Sequence, residues 1–167
     1  MRKVFCIITL CLIGAKGFTQ HVAIVNGKAI PDKEFMWIYK KNHAGVTSVS
    51  YDDLMAYLEL YINFKLKVLD AMELKMDKDT AYLSEVKKYE LALQAQRRRS
   101  KNSAEYKFVM NEYKEAVLMF NISEIKIWNK APDENAQVKL EQEWIDSLRK
   151  KYPIKVNQEQ IKKMARP

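Results

Sequence analysis

The stretch VSYDDLMAYLELYINFKLKVLDAMEL, residues 49–74, decides the fold of this chain. It opens with a capping box, in which the Ser50 hydroxyl and the Asp53 carboxyl can satisfy free backbone N–H groups at the start of a helix. Val49 and Leu54 are placed on either side of this box to form a hydrophobic staple. These signals predict a long helix that continues to the end of the stretch.

Apolar side chains occupy most of the circumference of this predicted helix. Its polar residues form one narrow stripe, in which Asn63 is either a stripe member or a hydrogen-bonded amide in the core. A helix that is apolar nearly all round is buried, so we expect it to lie at the centre of the domain. The apolar positions are Leu54, Tyr57, Leu58, Tyr61, Ile62, Phe64, Leu66, Val68 and Leu69, and the stripe is Glu59, Asn63, Lys67 and Asp70.

A β-hairpin and a short helix are predicted on the N-terminal side. The β-branched run of residues 22–25 leads into Asn26-Gly27, two residues that tolerate positive φ, and then into residues 28–30. Pro31-Asp32 opens a helix that runs to about Asn42, and a loop follows.

Three further helices are predicted on the C-terminal side. The first presents Tyr82, Val86, Tyr89 and Leu93 on one face. Ser103 caps the next, which can extend to Trp128 and turns Tyr106, Val109, Met110, Tyr113, Val117 and Phe120 inward. The last has Pro132 at its first helical position, Asp133 and Glu134 in its first turn, and Trp144, Ile145, Leu148 and Tyr152 on its apolar face.

One more short strand and a terminal helical turn complete the prediction. Pro153 ends the last long helix, residues 154–156 form a short strand, and residues 158–164 form a helical turn or two. The predicted fold class is therefore mainly α. We expect a bundle of five to six helices with a small β element that pairs the N-terminal and C-terminal segments.

The first twenty residues have the layout of a secretory signal peptide. A cationic start is followed by the apolar run of residues 4–13 and by small residues near a cleavage site. The apolar run is too short to cross a bilayer, which needs about 20 residues. Neither Cys6 nor Cys11 follows a small residue, as a lipoprotein motif would require. We expect residues 1–20 to be a signal peptide, cleaved either after Gly17 or nearer Gln20. We expect residues 21–167 to be one domain without a membrane span, and the mature protein to be periplasmic.

Several function classes are excluded by the composition beyond residue 20. That part of the chain has no cysteine, and it has only Gly27 and Gly45, so it has neither a thiol nucleophile nor a glycine-rich phosphate loop. His21 and His43 stand apart without metal-ligand spacing, and no serine lies in a GxSxG motif. We expect no enzyme of a familiar type, no metal and no cofactor.

The chain is mildly basic, with a formal net charge of +8, to which the leader contributes Arg2, Lys3 and Lys16. This excess suits an acidic partner or an anionic surface, but it is too small for a nucleic-acid-binding surface. The run Arg97-Arg98-Arg99 is best interpreted as a solvated helix C-terminus favoured by the helix dipole.

Several blocks of the chain resemble the SurA-like and PrsA-like periplasmic foldases, in the form found in Bacteroidetes-type bacteria. The most specific block is LYINFKLKV at residues 60–68. The other blocks are residues 24–28, 34–35, 39–42, 112–120, 127–131, 143–145 and 148–157, so the resemblance covers most of the mature chain.

One departure from that family limits what the resemblance implies. Family members carry one or two parvulin-type prolyl isomerase domains between their helical segments. Here Ala131 runs directly into the next helix, and the catalytic histidine pair has no counterpart. The resemblance therefore implies a chaperone core without the isomerase.

The function expected on this basis is ATP-independent binding of unfolded or extended segments of exported and outer-membrane proteins. A non-enzymatic adaptor that binds one folded partner in the envelope is the alternative, and a homodimer is compatible with either. Adaptable aromatic and thioether side chains suit the binding of varied apolar segments. On the helices that form the cradle of the resembled proteins, the candidate peptide-binding residues are Met36, Tyr39, Tyr57, Tyr61, Met72, Tyr106, Met110 and Tyr113. For any single one of them, an ordinary core position is the more common explanation of such a side chain.

Overall fold

The computed structural model describes residues 20–45, 48–95 and 103–165. Over these residues the chain forms six α-helices and one three-stranded antiparallel sheet, which confirms the predicted fold class. Almost all of the predicted signal peptide and the run Arg97-Arg98-Arg99 lie outside the described residues. The strands are β1 (His21–Val25), β2 (Lys28–Pro31) and β3 (Ile154–Val156), and the helices are α1 (Asp32–Asn42), α2 (Tyr51–Glu73), α3 (Thr80–Ala95), α4 (Ala104–Ser123), α5 (Glu134–Lys151) and α6 (Gln158–Met164).

The sheet joins the two ends of the domain, as predicted. Its strand order is β2-β1-β3, and Ile24 of β1 lies opposite both Ala29 of β2 and Lys155 of β3. The hairpin between β1 and β2 turns at Asn26 and Gly27, whose φ values of 48° and 77° are those that this dipeptide tolerates best. The three strands are stable because their inner face packs on helices.

Helix α2 is the central helix, and it packs against α1, α4, α5, α6 and β1. Its start matches the sequence signal, because Ser50 Oγ accepts a hydrogen bond from the Asp53 backbone N–H at 3.0 Å. Val49 and Leu54 are both buried in the core cluster, as a hydrophobic staple requires.

The polar stripe of α2 is the surface on which α5 packs. Arg149 Nη2 donates to Glu59 at 2.6 Å and to the Asn63 Oδ1 at 2.7 Å. At the other end of the stripe, Trp144 Nε1 donates to Asp70 at 2.9 Å. Lys67 of the stripe is paired with Glu141 of α5. Asn63 is therefore a stripe member whose amide oxygen is satisfied by a neighbouring helix.

Helix ends differ from the sequence prediction at two places. Pro132 is not the first residue of α5, because Asp133 caps that helix by accepting from the Ala136 N–H at 2.9 Å, and the helix begins one residue later. The helix that starts after Ser103 does reach Trp128, but its last turn, Glu124–Trp128, is π-helical. A short 3-10 turn, Met76–Lys78, joins α2 to α3.

The predicted inward face of α4 is wrong at one position. Tyr106 and Met110 are buried, and Val109, Tyr113 and Val117 are half-buried, but Phe120 is exposed. α2 and α3 pack on other sides of α4, and Phe120, whose ring meets that of Trp128, keeps 55% of its surface exposed.

Candidate functional site

A concave apolar groove lies between α1, α2 and α4. Its volume is about 210 Å³, and it opens to solvent along one side. The floor is formed by α2, and the walls by α1 on one side and α4 on the other. The lining residues are Ile38 and Asn42 of α1, Tyr57, Leu60, Tyr61 and Phe64 of α2, and Glu112 and Ala116 of α4.

Helical periodicity places the floor residues together. Tyr57 lies three residues before Leu60 and four before Tyr61, and Phe64 lies four residues after Leu60 and three after Tyr61, so the four residues share one face of α2. Leu60 keeps 66% of its surface exposed although it belongs to the central helix. α1 and α4 stand apart along this face, so the floor stays open.

A cluster of aromatic rings supports the floor from the α1 side. The Tyr57 ring lies edge-on to the Tyr39 ring at 5.3 Å and to the His43 ring at 5.2 Å between centroids. Phe35, which is fully buried, lies 5.9 Å from Tyr57, and the Tyr61 and Phe64 rings stack at 5.8 Å. Packed aromatic rings hold one another in position, so the floor of the groove is pre-formed.

Polar groups are few and lie at the edges of the groove. Asn42 Nδ2 donates to the Tyr57 hydroxyl at 2.6 Å, and Lys41 Nζ donates to Glu112 at 2.5 Å. Burial raises the pKa of the Tyr57 hydroxyl above its ordinary value. Apart from these edge groups, the surface offered to a ligand is aromatic and aliphatic.

A charged cluster lies behind the floor and links three helices. Lys65 of α2 donates to Glu34 of α1 at 2.9 Å and to Glu115 of α4 at 2.6 Å. The Tyr61 hydroxyl donates to the same Glu34 at 2.7 Å. Burial, followed by the negative charges of the two glutamates, raises the pKa of Tyr61 well above its ordinary value. Burial also raises the pKa of the Glu115 carboxyl, against the opposing effect of the Lys65 ammonium.

Two other concavities differ from the groove in character. One, of about 180 Å³, lies beside the charged cluster and the hairpin. The other, of about 440 Å³, is larger than the groove and lies between the end of α2, α3 and α4, and Leu83 and Val86 of α3 line it together with charged residues. Neither presents the continuous aromatic floor found between α1 and α4.

The structure brings only two of the eight predicted site residues into the groove, Tyr57 and Tyr61. Tyr39 is buried beneath the floor, and Met36 is half-buried against the core. Met72 lines the two other concavities. The other three lie on α4 away from the groove: Tyr106 and Met110 are buried, and Tyr113 stacks on Tyr89 with ring centroids 3.6 Å apart.

Four apolar lining residues were missed by the sequence analysis, namely Ile38, Leu60, Phe64 and Ala116. Periodicity could have supplied Leu60 and Phe64, since both share the face of α2 that carries Tyr57 and Tyr61. A selection limited to tyrosine and methionine overlooked them.

A separate exposed apolar patch lies at the end of α4. Phe120, Ile125 and Trp128 keep about half of their surface exposed, and the rings of Phe120 and Trp128 meet edge to face at 4.9 Å. Ile125 and Trp128 both belong to the π-helical turn that follows α4. We call these three residues the α4-end patch. None of its residues lines a concavity described above, so it suits a folded surface better than an extended chain.

Within residues 20–45, 48–95 and 103–165, no helix is both long and apolar enough to cross a membrane. The same residues contain no group of three or more histidine, cysteine, aspartate or glutamate side chains arranged to hold a metal ion.

Comparisons of the chain with protein-family models, with curated proteins and with solved structures gave no match.

Proposed function

We propose that this protein is an ATP-independent chaperone-like module that binds extended apolar segments of unfolded exported polypeptides, including outer-membrane proteins. The observation that carries the proposal is the apolar groove, whose aromatic floor exposes Leu60 between Tyr57 and Phe64. When an apolar side chain enters such a solvent-open concave surface and displaces its water, the free energy of the system falls. Because polar groups lie only at its edges, the groove has little means of selecting one sequence.

The size of the groove makes the proposed binding weak and reversible. A volume of about 210 Å³ accommodates side chains rather than a folded domain. Burying one large apolar side chain is worth about 1.5–3 kcal/mol, and ordering the bound segment offsets part of this gain. Such a site captures and releases segments without an energy source, in keeping with a sequence that has no phosphate loop.

The proposed setting follows from the sequence. The leader-like first twenty residues support export to the periplasm, and the resemblance to SurA-like and PrsA-like foldases supports a role in the folding of exported proteins. The proposal assigns binding and no proline isomerisation, because the segment after Ala131 leaves no room for the isomerase domain of that family.

Matched substitutions at two equally exposed positions test the groove. Leu60→Asp places a charge on the floor, whereas Val138→Asp changes an α5 residue that has the same 66% exposure and does not line the groove. We expect the wild type and Val138→Asp to suppress aggregation of several unfolded client proteins at near-stoichiometric ratios. Leu60→Asp should lose this effect while keeping its helical circular dichroism. Equal activity of the two variants, or no suppression by the wild type, refutes the proposal.

A second candidate function, an adaptor for one folded partner, is favoured by the α4-end patch. Single surface apolar residues are common, but a cluster of three with two rings in contact is typical of protein interaction sites. On this reading, affinity purification yields one stoichiometric partner, and Trp128→Ser abolishes its binding while Leu60→Asp does not. Crosslinking in cells separates the two functions, because many extended clients indicate the groove and one folded partner indicates the patch.

A further inference from the structure

Side chains of α1 and α4 meet across the groove in two neighbouring contacts. Lys41 Nζ lies 2.5 Å from Glu112 Oε2, and the Trp37 and Phe108 rings lie 5.7 Å apart between centroids. The two residues on each helix are four positions apart, so each pair lies on one face of its helix. The Lys41 ammonium is also 5.7 Å from the centre of the Trp37 ring, which connects the two contacts. We call these four residues the clasp.

The clasp joins the two walls of the groove. Ile38 and Asn42, which line the α1 wall, directly follow the clasp residues Trp37 and Lys41 in the sequence. Glu112 belongs both to the clasp and to the α4 wall. The clasp therefore lies beside the lining residues on both walls, and widening the groove requires its contacts to separate.

The α4 wall is lightly anchored on its other side. α3 packs against α4 and the 3-10 turn, and Tyr82 is the one buried residue among those described in α3. Leu83 and Leu91 of the same helix are more than half exposed. Segments with few buried contacts open locally at low free-energy cost, so the first half of α4 can move together with α3.

We propose that the clasp is an electrostatic gate, which holds the α1 and α4 walls together when closed and lets the groove widen when the Lys41–Glu112 pair separates. Lys41 keeps 51% of its side chain exposed, so the pair is screened by salt and is easily broken. The biological meaning of the gate rests on the proposed binding function. Its opening is a property of the free protein and can be measured without a client.

Hydrogen exchange in the full chain tests the gate. Glu112→Gln removes the charge pair with little change in shape, and Glu159→Gln, which breaks an exposed pair within α6, is the matched control. We expect amide exchange in residues 32–42 and 104–112 to become about two- to fivefold faster in Glu112→Gln and to stay unchanged in the control. Raising the ionic strength from about 0.01 M to about 1 M should bring the wild type close to Glu112→Gln.

A charge swap distinguishes the effect of the Lys41–Glu112 ion pair from the effect of either residue alone. In the double variant Lys41→Glu/Glu112→Lys, exchange in the same segments should return toward the wild-type rate, below that of Lys41→Glu by itself. Unchanged exchange in Glu112→Gln, or a double variant that exchanges as fast as Lys41→Glu, overturns the gate.

Client binding by the same variants distinguishes the gate from the proposed function. Faster exchange together with about two- to fivefold tighter binding of an unfolded client by Glu112→Gln supports both proposals. Faster exchange with no client bound by any variant supports the gate and refutes the proposed function. Faster exchange with unaltered client affinity refutes the role of the gate in binding.

Discussion

Replacing Trp144 with phenylalanine tests how α5 is held on the central helix. The buried indole Nε1–H donates to Asp70 at 2.9 Å, and phenylalanine removes this donor while keeping a ring. Asp70 is then left with Lys126, whose ammonium lies 3.5 Å away. Loss of a hydrogen bond to a buried charged acceptor costs about 1.5–3 kcal/mol of stability, and loss of the buried indole atoms adds about 1 kcal/mol. We expect the free energy of unfolding to fall by about 2.5–4 kcal/mol.

Urea unfolding followed by circular dichroism measures this change, with Trp128→Phe as the control. Trp128 is 40% exposed, so the control should cost less than about 1 kcal/mol. The double variant Trp144→Phe/Asp70→Asn has no carboxylate that has lost the indole donor. Its loss in free energy of unfolding should therefore be at least about 1 kcal/mol smaller than the sum of the losses in the two single variants. A Trp144→Phe variant as stable as the control, or strict additivity in the double variant, refutes the assigned role of the hydrogen bond.

Substitutions at three other positions give expected outcomes by the same unfolding measurement. Phe35→Ala removes a fully buried ring from beneath the groove, so it should cost about 3–5 kcal/mol, and a loss below about 1 kcal/mol contradicts the described packing. Ser50→Ala removes the cap that accepts from the Asp53 N–H, so it should cost about 1 kcal/mol, whereas Ser50→Asp should cost less. Burial raises the pKa of the Glu115 carboxyl in the folded state. The folded protein therefore binds that proton more tightly than the unfolded chain does. The contribution of Glu115 to stability grows as the pH falls through the raised pKa. Glu115→Gln should lose this gain between neutral and mildly acidic pH, and an unchanged pH dependence of unfolding contradicts the assignment.

The elements that could be predicted from the sequence are those with local causes. The Asn26-Gly27 turn depends on two residues that accept positive φ, and the start of α2 depends on Ser50 and its neighbours. The pairing of β1 with β3 was also correct, because short strands at the two ends of a helical chain have few alternative partners. The signals for the turn and for the start of α2 lie within a few residues of the feature that they specify. The strand pairing was predictable because few strands were available to pair.

The features that could not be predicted depend on which helix covers which face. The polar residues of the α2 stripe can form hydrogen bonds either with water or with a neighbouring helix. Only the tertiary arrangement shows that Arg149 donates a hydrogen bond to Asn63. Phe120 has the spacing of a core residue, yet the face on which it lies is left uncovered. Periodicity identifies a face and leaves its neighbour unspecified, so half of the predicted site residues proved to be buried.

The groove is located where a general rule about helices fails. A helix that is apolar nearly all round should be buried on every side, and α2 meets this expectation at Leu54, Leu58 and Ile62, which are fully buried. Leu60 lies on the same helix and is two-thirds exposed. Departures from local consistency concentrate at functional sites, since stability alone would favour covering such a residue. The exposed Leu60 on this largely buried helix therefore supports the proposed client binding between α1 and α4. Under the proposed gate, the two walls need only separate at the clasp for a further segment to reach the floor.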